Sequence, residues 1–256
     1  MSGTVHLERI GRHILMAELD NPPRNTLQAG MVARLHAALS EAESDRQTRV
    51  LVITGRGPAF CAGANLREEH DVAEGRAPAK SLTGIRDLFH SLNATRLPVV
   101  GLINGWCVGG GLELALYFDV RVASSQAKFV CAGVNVGLIA SAYRLPRLVG
   151  VAAAKAMLLT GSPFDAEAAL RFNLVTEVHP PEALRAAGLA LAERIASRAP
   201  LSVEASKRIA DMALDLPPDE GDRAMGREAK VLAQSEDHKA ALAAFLGKTE
   251  PIFDRK

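Results

Sequence analysis

The run Val50-Leu51-Val52-Ile53-Thr54, closed by Gly55, is apolar at nearly every position, and Leu97-Pro98-Val99-Val100-Gly101-Leu102-Ile103 repeats the pattern. A strand without polar alternation must be covered on both faces, as in a parallel sheet packed between helices. Pro98 falls in the first turn of its run, where a missing N–H donor is tolerated. These two runs point to an α/β architecture. Residues 5–9 and 13–19 alternate about Gly11 and predict a hairpin ahead of the breaker Asn21-Pro22-Pro23. Leu27, Met31, Leu35, Ala38 and Leu39 recur at helical spacing and predict a helix over 27–42. Residues 67–81 are polar, carry Pro, Gly and mixed charges, and read as a mobile connection before a helix over 82–93. A helix over 112–118 and short strands over 120–123 and 128–130 follow. Helices over 152–159, 165–172, 181–197, 201–214 and 219–246 then fill the later chain, the last broken near Ser235. That order predicts an α/β core followed by a helical C-terminal layer.

The 256 residues lie near the upper end of what one hydrophobic core organises. Thirty basic and 29 acidic residues give a net charge of +1, without the one-sided excess that nucleic-acid binding shows. Cys61, Cys107 and Cys131 are widely spaced in apolar runs without metal-ligand spacing, and they read as reduced thiols of a cytoplasmic protein. The first twelve residues lack the pattern of a signal peptide, and no charge-free apolar stretch reaches the ~20 residues of a membrane span.

Two glycine-containing segments each follow a buried strand. One runs from Gly57 to Leu66 through Cys61-Ala62-Gly63-Ala64-Asn65; the other is Ile103-Asn104-Gly105-Trp106-Cys107-Val108-Gly109-Gly110-Gly111-Leu112-Glu113-Leu114. Small residues let a ligand approach the backbone, and glycines at a helix start leave N–H groups free along a favourable dipole. Such a site suits a developing oxyanion. Read singly, either segment is more often a turn built for packing. A dinucleotide-binding reading of Gly55-Arg56-Gly57 lacks the full glycine fingerprint and the acidic residue that ends a second strand.

Taken in order, these segments, with Asn21-Pro22-Pro23-Arg24-Asn25-Thr26-Leu27, residues 129–137, Leu158-Leu159-Thr160-Gly161 and Ala243-Ala244-Phe245-Leu246, resemble the crotonase superfamily, also called the enoyl-CoA hydratase/isomerase family, over nearly the whole chain. The resemblance implies a spiral of repeated ββα units over residues 1–195 and a C-terminal helical trimerisation region over 196–256, assembled as a homotrimer or a dimer of trimers. It implies an acyl-CoA thioester as substrate, with no cofactor besides the coenzyme A that the substrate carries, no metal, no nucleic acid and no membrane. The family's two oxyanion donors map onto the N–H groups of Ala64 and Gly110. Arg24, Ala62, Asn65, Leu66, Lys248 and Phe253 map onto positions that bind coenzyme A, the last two often from a neighbouring subunit.

Hydratases of this family use two glutamates. One aligns with Glu113, a helical turn beyond Gly110. The second position is Gly133, and no carboxylate occurs between Asp119 and Asp165, while the following loop is about three residues shorter than usual. Asn135 is a candidate for orienting water, and Ser141 lies near the position where aryl-CoA dehalogenases carry a nucleophilic aspartate. Glu68, Glu69 and His70 are more often a solvated loop face, and His90 a packed or surface residue, than catalysts. Trp106 either narrows the acyl pocket or fills the core. The expectation is an enoyl-CoA hydratase-like lyase with Glu113 as its remaining acid/base. The alternatives are an isomerase, an acyl-CoA hydrolase or decarboxylase, and an acyl-CoA-binding protein with little activity.

Overall fold

The computed structural model describes residues 3–77 and 80–256. The chain opens with the hairpin β1 (Thr4–Ile10) and β2 (Ile14–Asp20), closed by the pairing of Ile10 with Ile14. Helix α1 (Ala29–Ser44) follows, and then a repeating order of long strand, short strand, helix. The first turn of the spiral is β3 (Val50–Gly55), β4 (Ala59–Cys61), α2 (Leu66–Ala73) and α3 (Lys80–Ala94). The second is β5 (Val99–Ile103), β6 (Trp106–Val108) and α4 (Gly110–Ala115). The third is β7 (Val120–Ser124), β8 (Lys128–Val130), a 3-10 turn (Ala132–Val136), α5 (Leu145–Val149) and α6 (Val151–Thr160). Strand β9 (Phe164–Asp165), α7 (Ala166–Arg171), β10 (Glu177–His179) and α8 (Pro181–Ala196) complete the core, and α9 (Pro200–Met212), α10 (Pro218–Leu232) and α11 (Glu236–Gly247) form the C-terminal layer.

The long strands assemble into a six-stranded sheet in the order β1-β2-β3-β5-β7-β10, and the short ones into a second sheet, β4-β6-β8-β9. Burial explains the apolar runs. Leu51, Ile53, Val99 and Ile103 face the cluster shared with α1, α3 and α4, whereas Val50, Val52, Val100, Leu102 and Val122 face α8 through Leu184, Ala192 and Ala196. Both faces of β3 and β5 are therefore covered, as the unbroken hydrophobicity requires.

Within the expected mobile connection over 67–81, of which 78–79 lie outside the described residues, Leu66–Ala73 is helical. Its cap is local: the Arg67 N–H donates to Asn65 Oδ1 at 3.2 Å and Asn65 Nδ2 donates to Glu68 Oε1 at 3.1 Å. An Asn cap with acidic residues in the first turn starts a helix even without a buried face.

Two arginines, one buried and one half-buried, tie the layers together. Arg121 is 5% exposed and donates to Leu174 O at 2.6 Å, Ala115 O at 3.3 Å and Phe118 O, which satisfies carbonyls at the end of α4. Burial pulls its pKa down to about 10 against the opposing charge of Asp119. Arg96 donates to Glu43 O and Asp45 O, both at 3.0 Å, at the end of α1, and to Glu204 Oε1 of α9 at 3.1 Å. Glu204 also accepts Arg255 Nε at 2.8 Å and Nη2 at 2.9 Å, so one buried carboxylate joins α1, α9 and the C-terminal tail. Among the described residues no helix is long and apolar enough to cross a membrane, and no three His, Cys, Asp or Glu side chains gather as a metal site.

Candidate active site

Strands β4, β6 and β8 run parallel, so their carboxyl ends lie along one edge of the small sheet. From that edge issue Ala62-Gly63-Ala64, Gly109-Gly110-Gly111 and Cys131-Ala132-Gly133. Ligands gather outside the carboxyl ends of parallel strands, where loops are free to vary above a rigid sheet.

Gly63 adopts φ +82°, and a Cβ built on it would stand 2.6 Å from Gly110 N and 2.7 Å from Val108 O. A Cβ on Gly110 would stand 3.3 Å from Ala64 N, so the Ala64 and Gly110 amides are side by side. Gly110 is the first residue of α4 and its N–H has no partner within the helix. No acceptor for the Ala64 N–H occurs among the described residues. The segment from Asn21 to Leu27 supports this edge: Leu27 N donates to Gly63 O at 2.8 Å, and Ala62 N to Arg24 O at 2.9 Å. Asn25 Nδ2 holds the arm by donating to Arg56 O at 2.9 Å and Ala59 O at 2.8 Å.

Glu113, half-buried in the first turn of α4, accepts the Ser141 hydroxyl at Oε2, 2.7 Å away. Ser141 is 4% exposed and takes the left-handed φ of +62°. Cys131 also neighbours Glu113: burial first, and the carboxylate's charge second, push its thiol up to about 12. Cys61 is likewise pushed up to about 12, by burial, and Cys107 is raised well above the ordinary thiol range. The three thiols are neutral and inert.

Gly133 has no space for a side chain. A Cβ there would lie 2.8 Å from Leu138 O and 3.1 Å from Ala140 N, because the loop passes directly over it. Asn135 is turned to another task, its Nδ2 donating to Gly161 O at 3.0 Å just beyond α6. Trp106 is 47% exposed, which removes it from the core. Arg24 and Leu66 are exposed beside Ala62, and Asn65 caps α2. Glu68, Glu69 and His70 belong to α2, and His90 to α3. Lys248 is exposed at the end of α11. Phe253 is buried against its own chain, in a groove with Arg12, Arg49 and Ala196 that shares no residue with the Gly63–Gly110 edge. Sequence reasoning passed over Tyr117, four residues after Glu113 in the turn that closes α4, and Arg144, three after Ser141.

The geometry agrees with comparison to known proteins. Residues 9–256 match the family model described as Enoyl-CoA hydratase/isomerase, and the chain belongs to this family. It is an enzyme of the enoyl-CoA hydratase/isomerase type with the crotonase fold. It is 36% identical to (E)-benzylidenesuccinyl-CoA hydratase of Thauera aromatica, over 95% of this chain and 96% of that protein. It is 31% identical to short-chain-enoyl-CoA hydratase of Clostridium acetobutylicum, over 95% of each. The crystal structure of an enoyl-CoA hydratase from Bacillus anthracis superposes with a TM-score of 0.93 at 28% identity, covering 99% of this chain and 100% of that one.

Proposed function

We propose that the protein hydrates an enoyl-CoA thioester with a single carboxylate. The observation that carries this reading is Glu113, held at 2.7 Å by Ser141 one helical turn beyond the adjacent Ala64 and Gly110 amides. The thioester oxygen accepts from both amides, which stabilise the negative charge that develops as the enolate forms, each donor contributing ~3–4 kcal/mol. Glu113 takes a proton from water as the water oxygen bonds to Cβ. The double-bond electrons move to Cα and the thioester oxygen. The protonated Glu113 then returns that proton to Cα as the enolate collapses. Water is added, and the carboxylate is regenerated.

Coenzyme A lies along Ala62, Asn65 and Leu66 with Arg24 beside its phosphates, and its remote binding energy positions the acyl group. In an assembly of three subunits or two stacked trimers, Lys248 serves a neighbouring site. Phe253, which lines a groove with Arg12 and Arg49, is assigned with Lys248 to that neighbouring site. Gly133 favours a second reading, isomerisation, in which Glu113 moves a proton between Cα and Cγ and no water need be held. Crotonyl-CoA hydration and double-bond migration in a 3-enoyl-CoA, followed side by side with the wild type and Glu113→Gln, test both. The substitution lowers the operating reaction about 100- to 10,000-fold. Unchanged turnover in the variant defeats the role given to Glu113, and tight thioester binding with no turnover of either substrate identifies a binding protein.

A further inference from the structure

Beyond the end of α4, the chain segments that carry Glu113 and Ser141 lead to groups of different character. Tyr117 follows Glu113 by four residues, in the turn that closes α4, where its N–H donates to Leu114 O at 3.1 Å, and Arg144 follows Ser141 by three. The contact of Glu113 with Ser141 is thus repeated farther along by Tyr117 and Arg144, whose guanidinium carbon sits 3.7 Å from the ring centroid. Phe89 of α3 stacks on the other side of Tyr117, with ring centroids 4.7 Å apart and planes 16° apart. These groups line a cavity of about 430 Å³ together with Arg86, His90 and Asn93.

The lining is one-sided in charge. Arg86, His90 and Arg144 contribute to it, and no carboxylate does. Arg86 and His90 are four residues apart on α3 and share a face. Arg144 makes no ion pair among the described residues. Its Nη2 donates to Asn93 Oδ1 at 2.6 Å, and the Tyr117 ring holds the guanidinium plane. Asp211 of α9 feels the Arg144 charge without pairing to it. A planar cation fixed by stacking and one neutral acceptor, above an aromatic slab and beside a second arginine, is built for a carboxylate.

We infer that the acyl group handled by this enzyme ends in a carboxylate, bound by Arg144 and Arg86 in the Phe89–Tyr117 cavity, so that the preferred substrates are mono-CoA thioesters of unsaturated dicarboxylic acids. The inference rests on the acyl-CoA reading above. The polar end of the chain is accepted at the cations, and its methylenes pass the exposed edges of Tyr117 and Phe89.

Calorimetric binding of adipyl-CoA and hexanoyl-CoA, matched in chain length and unreactive as saturated thioesters, tests it without relying on turnover. The wild type is expected to bind adipyl-CoA at least about tenfold more tightly, the scale of one charge-assisted hydrogen bond. The ratio of the two dissociation constants collapses toward one in Arg144→Gln and shrinks in Arg86→Gln, whose exposed position makes it the safer variant for folding. Equal affinities in the wild type, or a ratio that survives both substitutions, overturn the carboxylate site and leave the acyl-CoA reading standing. Binding of neither thioester overturns both.

Discussion

Restoring a glutamate at Gly133 will damage the protein instead of completing a two-carboxylate site. The obstacle is the first side-chain atom, because a Cβ at this position meets Leu138 O at 2.8 Å and Ala140 N at 3.1 Å. Both atoms belong to the backbone, so no rotamer change removes the contact. The loop must move, and the same loop leads into Ser141, whose left-handed residue and hydroxyl hold Glu113. Overpacking of this kind costs about 1–3 kcal/mol. In a chain of this size each kcal/mol lowers Tm by about 2–4 °C, so the expected loss is roughly 2–12 °C. Gly133→Ala separates steric cost from charge, and it should show most of the fall that Gly133→Glu shows. The assay is thermal unfolding of both variants together with hydration of crotonyl-CoA, where Gly133→Glu should be slower than wild type by at least about tenfold, as a misplaced catalytic group costs. A Tm for Gly133→Ala indistinguishable from wild type, or faster hydration by Gly133→Glu, refutes the reasoning.

Ser141→Gly should be more stable than Ser141→Ala by up to ~1 kcal/mol, because only glycine relieves the φ of +62°, while both lose the hydroxyl that holds Glu113 and fall about tenfold in kcat; melting curves and rates of the two variants check both signs. The thiols predict a pH dependence. Cys61 and Cys131 ionise at about 12 in the folded protein, against an ordinary value of 9.0 in the unfolded chain. Above that ordinary value the unfolded chain loses protons that the folded state retains, so stability is full below it and declines as pH rises toward about 12. The urea midpoint should therefore fall through this window, and native thiols should resist alkylation in mildly alkaline buffer; a flat midpoint contradicts the assigned burial.

The large sheet was legible because a strand buried on both faces has no choice but to be apolar throughout, and Val50 to Thr54 says so in five letters. Strands β4 and β6 were not, since they lie inside the glycine-containing segments that read as turns, and the two residues of β9 carry no periodicity. Helix α2 was hidden by its polarity, although Asn65 three residues before Glu68 is a capping signature. Within the site, Gly110 and Glu113 could be named from the family resemblance, which places them three residues apart. The Ser141 contact could not, because it depends on the path of a loop from Gly137 onward. That path also explains Gly133: the sequence shows a missing carboxylate, and only the fold shows the vacated volume taken up by Leu138 and Ala140.

The side-by-side amides of Ala64 and Gly110 have a consequence for how such a protein can change. A main-chain N–H is encoded by every codon except those for proline, so point mutation rarely erases it. The spacing between these two is set by an absence, for the Cβ that Gly63 lacks would fall 2.6 Å from Gly110 N. Proton-handling groups, in contrast, are ordinary side chains that one nucleotide change can replace, as Gly133 illustrates. The scaffold thus keeps its grip on a carbonyl while the chemistry beside it is exchanged, which makes the reaction, and not the ligand handle, the part of the molecule that is free to drift.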